Sequence, residues 1–101
     1  MARTAEQYMK YLIAGKYDKY VEARADYDSL PEGYRNQLVD MTKQYMSEEM
    51  EERGGIRAVR AVSDTIDGNV ANVLLSVRYG NDSIEEILFP LVLVKGKWLM
   101  P

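Results

Sequence analysis

The stretch Ile84–Met100 constrains the fold most, because it is the most apolar run of the chain. Its Ile, Leu, Phe and Val residues are typical of a well-buried strand. Lys95–Gly96 reverses the chain, and Trp98 heads a short return strand. Pro90 lies inside the run, and because proline donates no backbone hydrogen bond, we expect a bulge or a local break there. The rest of the chain has to cover this hairpin.

Three helices are predicted before the strands. The first begins at a capping-box pattern, Thr4–Gln7, and ends at Gly15, and a second short helix follows. A second capping-box pattern, Ser29–Glu32, opens the longest helix, which ends at Gly54–Gly55 because glycine adopts the left-handed conformation freely. The buried stripe of the long helix is predicted to be Tyr34, Leu38, Met41, Tyr45 and Met46.

The hydrophobic period changes from helical to alternating after Gly55. Ile56–Ile66 has mixed faces, which indicates an edge or a bulged strand. Asp67–Gly68 predicts a hairpin turn, and Val70–Tyr79 alternates cleanly between apolar and polar residues. Helices in one block and strands in another predict an α+β fold. We expect one domain over residues 1–101, with three N-terminal helices packed on a four-stranded antiparallel sheet.

The composition excludes several classes of function. The 101 residues include no cysteine and no histidine, so disulfides, thiolate or histidine metal sites and a Ser-His-Asp triad are impossible. The net charge of −3 comes without a basic stripe, which argues against a nucleic-acid partner. No apolar segment approaches the roughly 20 residues of a membrane-spanning helix. We therefore expect no cofactor, no metal ion, no nucleic acid and no transmembrane segment.

The order of the elements resembles the nuclear transport factor 2-like, or cystatin-like, cone fold. Three places carry the resemblance: the interrupted helix pair Ala5–Tyr20, the junction Gly54–Arg57, and the strand, turn and tryptophan strand of Leu91–Leu99. The local pattern is most similar to small, uncharacterised bacterial domains called lumazine-binding-like. The resemblance implies a strongly curved sheet with the helices across it.

The resemblance also bears on where the protein acts. Many such bacterial domains are exported lipoproteins, which implies a signal segment removed ahead of Met1. The implied location is outside the cytoplasm or anchored in the cell envelope, with a cytoplasmic location as the alternative. A shared fold implies no particular activity.

The first candidate site is a pocket between the helices and the inner face of the sheet, because concave and mostly apolar places bind ligands. The alternative is that the same residues simply fill the core of a small domain. The predicted lining consists of Tyr8, Leu12, Met41, Tyr45, Val73, Leu75, Phe89, Leu91 and Trp98.

The second candidate site is the outer face of the sheet, which alternation leaves apolar and without visible cover. An exposed apolar patch usually marks an interface, so we expect a homodimer through this face. The alternative is cover by the C-terminal segment or by residues beyond this stretch. The interface candidates are Leu74, Leu88, Val92 and Val94.

The expected function is a non-enzymatic domain that binds a small apolar ligand or a protein partner. The alternative implied by the resemblance is an enzyme of the isomerase or dehydratase kind, which would use a Tyr/Asp pair. Asp40 is the only plausible interior acid, and Tyr8 or Tyr11 would supply the phenol. A structural module of a cell-surface lipoprotein is a third option.

Overall fold

The backbone follows the predicted order of three helices and four strands. A computed structural model describes residues 1–101. The helices precede the strands, with a short 3-10 turn at Tyr27–Ser29. The helices are α1 (Ala2–Ile13), α2 (Tyr17–Glu22) and α3 (Glu32–Arg53), and the strands are β1 (Ile56–Asp67), β2 (Val70–Tyr79), β3 (Ile84–Val94) and β4 (Lys97–Leu99).

The four strands form one antiparallel meander in the order β1-β2-β3-β4. Cross-strand pairs place Ala71, Val73 and Leu75 of β2 beside Leu91, Phe89 and Ile87 of β3. These residues form the inner face, which α1 covers with the buried side chains of Ala5, Met9 and Leu12. The predicted α+β fold, with helices on one face of an antiparallel sheet, is therefore confirmed.

Pro90 does not interrupt β3, so the predicted bulge there is wrong. Asn72 pairs with Pro90 in a register that runs without a shift from Val70–Val92 to Arg78–Ile84. The Leu93 N–H donates to the Asn69 carbonyl at 2.8 Å, so odd-numbered residues of β3 point their N–H groups to β2. The nitrogen of Pro90 faces the other edge and removes no bond from this ladder.

The irregularities of the sheet lie in β1 instead. Its register shifts between Ile56 and Ala58 and again between Ala61 and Ser63. These shifts confirm the prediction of a bulged edge strand. Bulges increase the local twist of a strand and make its free edge a poorer template for pairing.

Both predicted capping boxes are absent. α1 begins at Ala2, ahead of Thr4, and α3 begins at Glu32 after Pro31, and neither helix has a side-chain cap. The Ser29 hydroxyl donates instead to the Asp26 carbonyl at 2.8 Å, within the 3-10 turn. The C-terminal end of α3 is as predicted, with Gly54 in the left-handed conformation at φ 80°.

α3 joins the rest of the molecule at its C-terminal end. Asn81 donates its N–H to the carbonyl of Arg53, and Gly80 donates to the carbonyl of Gly55, both at 2.8 Å. A Cβ atom on Gly80 would overlap the carbonyl oxygen of Gly54, so glycine is required for this approach. This junction fixes where the long helix leaves the sheet.

The predicted buried stripe of α3 is wrong for three of its five residues, whereas Leu38 and Met46 are half-buried and Met46 packs against the core. Tyr34, Met41 and Tyr45 are 45%, 62% and 48% exposed, and the only buried residue of the helix is Glu49. The helix packs on α2 and touches β1, but it does not cover β3. Residues at helical spacing stay exposed here because the helix meets the sheet near its C-terminal end and stands off β3.

The outer face of the sheet is open. Leu88 is 67% exposed, and Leu74, Val92 and Val94 are half-buried. The C-terminal segment does not cover this face, because β4 extends the sheet and Met100 packs into the core. No helix of the chain is both long enough and apolar enough to cross a membrane.

We predict that Leu75→Ala lowers the free energy of unfolding by about 2–5 kcal/mol, because Leu75 is fully buried and the change leaves a cavity. The matched variant Ile84→Ala should cost no more than about 0.5 kcal/mol, because Ile84 is 66% exposed and pairs with Arg78 on the opposite face. Urea denaturation of both variants measures the difference. Equal losses would contradict the assignment of the two faces.

Candidate functional site

A cleft opens between the helices and the β3 half of the sheet, where α3 stands off. It has a volume of about 410 Å³ and is lined by 13 residues, of which nine are hydrophobic. Ile87, Phe89 and Pro90 of β3 form its floor. The remaining lining comes from the helices and the C-terminal segment: Met9, Leu12, Tyr20, Val21, Arg24, Leu38, Thr42, Tyr45, Met100 and Pro101.

Arg24 is the one charged side chain in this lining. Its guanidinium makes two hydrogen bonds to Asp26, at 3.0 and 3.1 Å. These bonds hold the pKa of the Asp26 carboxyl below its usual range. The segment that carries Arg24 is fixed by Met100, which accepts from the Ala25 N–H at 2.7 Å and donates to the Ala23 carbonyl at 2.9 Å. Arg24 is therefore a positioned, largely neutralised cation at the mouth of the cleft.

Two tyrosines supply phenol groups to the cleft. Burial raises the pKa of Tyr20, and it also raises the pKa of Tyr45, which the negative charge of Glu49 raises further. Thr42 also lines the cleft, but its hydroxyl already donates to the Leu38 carbonyl at 2.8 Å. The cleft thus offers few hydrogen-bonding groups to a ligand, and most of them are the phenol hydroxyls of Tyr20 and Tyr45.

A charged cluster lies beyond Tyr45, where α3 meets the sheet. Glu49 is 9% exposed, and its buried Oε2 atom has no hydrogen-bond partner. Its nearest cation is Arg53, whose Nε atom lies 3.7 Å away. Arg53 also stacks over the Tyr79 ring at 4.6 Å and bonds to Glu85 at 2.9 Å. This cluster ties the helix to the sheet and does not line the cleft.

The predicted pocket residues separate into four groups. Leu12, Tyr45 and Phe89 line the cleft. Val73, Leu75 and Leu91 are fully buried in the core and do not reach it. Tyr8 and Trp98 pack on the core, where the Tyr8 hydroxyl donates to the Trp98 carbonyl at 2.6 Å. Met41 is 62% exposed and borders a shallow groove along α3 that shares its other five lining residues with the cleft.

Several residues that line the cleft were absent from the predicted lining. Tyr20 and Val21 lie on α2, and Met100 follows β4. Ile87 shares the inner face with Phe89, so strand alternation is a signal that could have identified it. Nothing local in the sequence brings Met100 next to α2, because that contact depends on a parallel bridge between Arg24 and Met100.

Comparison with solved structures supports the cone architecture. A Campylobacter jejuni protein, provisionally named an NTF2-like transpeptidase (NTF2 is nuclear transport factor 2), matches with a TM-score of 0.73. The match covers 96% of this chain and 93% of that protein at 16% sequence identity. This chain has the nuclear transport factor 2-like cone fold. At this identity the likeness establishes the cone fold and carries no activity with it.

Comparison of the sequence alone gives no relatives. No protein-family model matches the chain, and the search of curated proteins finds no match. The cone fold therefore rests on the architecture of helices and strands.

Asp40 is not an interior acid of this cone fold. It is exposed on α3 and lines none of the cavities, so the one acid considered for the enzyme alternative does not lie inside the cone. The reason is the same as for the exposed stripe of α3, because a helix that stands off the sheet turns few residues inward. The Tyr/Asp pair of the enzyme alternative is therefore not assembled around Asp40.

We predict that the protein loses stability above about pH 10, where the phenols of an unfolded chain ionise. Burial raises the folded-state pKa of Tyr20, so its contribution is fully present below the unfolded pKa and is lost as the pH rises through the folded pKa. Tyr20→Phe should make the alkaline loss shallower, whereas Tyr34→Phe, at an exposed position, should not. Urea denaturation midpoints of both variants, measured from about pH 8 to 11, report the loss of stability. Identical pH dependence of the midpoint for the two variants would contradict the prediction.

Proposed function

We propose that this chain is a non-enzymatic binding domain whose cleft accepts an apolar ligand, either a small molecule or an apolar segment of a protein. The supporting observation is that α3 stands off β3, so Leu38 and Tyr45 face Ile87 and Phe89 across unfilled space. The cleft is concave, mostly apolar and of the size that small ligands occupy. Its few polar groups would orient a ligand.

The chemistry of the lining favours binding over proton transfer. No carboxylate lines the cleft, and its one cation already pairs with Asp26. The nearest carboxylate along α3, Glu49, faces Arg53 at the junction with the sheet. A general base needs to reach the proton that it removes, and none of these groups is placed over the floor of the cleft.

The proposal includes the finer relationship to lumazine-binding-like domains of exported bacterial lipoproteins. Its support is the sequence resemblance over Leu91–Leu99 and the helix pair Ala5–Tyr20. The encoded sequence upstream of Met1 tests it. A signal segment that ends in a lipidated cysteine would support the proposal, and direct continuation into another cytoplasmic domain would contradict it.

We predict that Thr42→Trp weakens binding of the apolar dye anilinonaphthalene sulfonate, because the indole would occupy the cleft that Thr42 lines. The matched control is Lys43→Trp, one residue along the same helix at an exposed position. Fluorescence titration should show a dissociation constant raised at least about tenfold for Thr42→Trp, which corresponds to about 1.4 kcal/mol, and unchanged for the control.

Near-ultraviolet circular dichroism should show that both variants keep native packing. Equal dye binding by the two variants would mean that the dye does not occupy this cleft, and the proposed function would then fail.

We also propose that two copies of the chain associate through the outer face of the sheet. The face carries a contiguous outer patch of six apolar side chains: Val70, Leu74, Leu88, Val92, Val94 and Leu99. The chain exposes 6451 Å², whereas a folded monomer of 11.6 kDa exposes about 5,800 Å². The excess approaches the roughly 800 Å² that each partner of a standard interface buries.

The charges beside the outer patch are self-complementary. Arg60 of β1 and Glu86 of β3 lie at the same level, on either side of Ser76 of β2. A two-fold axis parallel to β2 would place Arg60 of one copy over Glu86 of the other, with sheets about 10 Å apart. Val70 would lie near the axis and meet its own copy. Arg78, at the far end of the same outward row of β2, would also meet its own copy, and Asp82 pairs with its charge at 2.9 Å.

We predict that Val70→Glu dissociates this dimer, because two carboxylates would face each other near the axis. Ile66→Glu is the matched control, since Ile66 is similarly exposed but pairs with Ala71 on the inner face. Sedimentation velocity at several protein concentrations should show a monomer for Val70→Glu only. A wild-type protein that sediments as a monomer, or a Val70→Glu dimer, would contradict the proposal.

A further inference from the structure

One backbone edge of β3 is unpaired next to the cleft. β2 pairs with β3 along Ile84–Val92 on one side, but β4 pairs only with Val92–Val94 on the other. Beyond Leu99 the chain turns aside, since Met100 bonds to Ala23 and Ala25 rather than to β3. The edge from Ile84 to Pro90 therefore has no partner strand.

The direction of the hydrogen-bonding groups along this edge follows from the register. Leu93 donates to Asn69 on the β2 side, so the odd-numbered residues of β3 direct their backbone groups to β2. The even-numbered residues therefore present their N–H and C=O groups to the opposite edge. Glu86 and Leu88 each offer one donor and one acceptor there. Pro90 offers only its carbonyl and marks one end of the usable edge.

The other edge of the sheet is protected in a way that the β3 edge is not. β1 carries two register shifts, and the Ala61 N–H donates to the Glu6 carboxylate at 2.8 Å. Bulges and blocked N–H groups discourage strand pairing. The β3 edge has an unbroken register and no side-chain cap, so it remains a template for a further strand.

The free edge and the cleft form one surface. Ile87 and Phe89 point into the cleft, and they alternate along β3 with Glu86 and Leu88, whose backbone groups face the free edge. Leu38 and Tyr45 of α3 face them from the opposite wall. A strand laid along this edge would send every second side chain into an apolar space.

The ends of the edge differ in charge. Glu85 and Glu86 lie at the Ile84 end, and Arg53 links Glu85 to the last turns of α3, which also carry Glu48 and Glu52. The opposite end of the cleft holds Arg24, which Asp26 already neutralises. A basic group at the Ile84 end would therefore complement the surface.

We propose that the partner of this cleft is an extended peptide segment that adds to β3 as a strand, with apolar residues at alternate positions and a basic residue toward Ile84. This inference rests on the proposed binding function of the cleft and names its occupant. Strand addition satisfies the backbone groups of Glu86 and Leu88 through four hydrogen bonds, which a small apolar molecule would leave to water. At about 3.3 Å per residue, the edge accommodates five to seven residues.

The probe is a displayed library of random dodecapeptides selected on the wild-type protein. Enriched peptides should alternate apolar and polar residues and carry Lys or Arg at one end. Recovery of no peptide, or only of peptides with apolar residues at helical i, i+4 spacing, would overturn the proposal. Hydrogen exchange of the complex should slow at the Glu86 and Leu88 amides and stay unchanged at Phe89, which points to β2.

We predict that Leu88→Pro weakens binding of an enriched peptide about tenfold, because it removes one donor and places a ring on the free edge. The variant should fold, since this N–H lies outside the β2 ladder and Pro90 is accommodated on the same side. Leu88→Thr is the matched comparison, because it loses the apolar side chain but keeps the N–H, and Leu88→Pro should bind the peptide about tenfold more weakly than Leu88→Thr does.

The outcomes separate this inference from the binding function of the cleft. If Leu88→Pro binds the peptide like Leu88→Thr while Thr42→Trp blocks it, the cleft binds peptides without strand addition and the inference fails alone. If Thr42→Trp has no effect on either dye or peptide, both proposals fail. If Leu88→Pro does not fold, the same test is made on the peptide, by N-methylating either its odd-numbered or its even-numbered residues. Equal affinity of the two methylated peptides for the wild-type protein would overturn strand addition.

Discussion

The close contact between Gly54 and Gly80 is the constraint on which the rest of the structure depends. It brings the end of α3 against the turn between β2 and β3 without side chains in between. Hydrogen bonds from Asn81 and Gly80 close the contact, and Arg53 adds a stacking contact with Tyr79 and a bond to Glu85. The long helix is thereby joined to the sheet at its C-terminal end, and its direction decides which part of the inner face stays uncovered.

The arrangement of the cleft follows from this attachment to the sheet, because the other contacts of α3 are with α2 and Tyr27 and not with β3. A helix lying flat on the sheet would bury its apolar stripe and close the space over Ile87 and Phe89. Here Tyr45 instead remains 48% exposed, and the buried residue of the helix is Glu49, whose Oε2 atom has no hydrogen-bond partner. Burying a carboxylate is unfavourable, and Arg53 offsets part of that cost at the junction. The apolar surface left uncovered is the part of the molecule best suited to recognition.

Three surfaces of the molecule lack a partner, and they differ in kind. The cleft is an apolar cavity, the outer patch is an apolar face, and the free edge of β3 is a row of backbone donors and acceptors. Each favours a distinct occupant, because apolar area is satisfied by any apolar contact whereas backbone groups require hydrogen bonds with strand geometry. The cleft and the edge share Ile87–Pro90, so one extended segment can satisfy both.

The sequence by itself determined the order of the elements, the two faces of β2 and β3, and the glycine end of α3. These features depend on local periodicity and on backbone conformations that few residues adopt. The tertiary structure alone decided that Pro90 faces a free edge, that Ser29 bonds within a turn, and that Met41 and Asp40 are exposed on a helix that stands off β3. Periodicity tells which residues share a face, but it does not tell what, if anything, lies opposite that face.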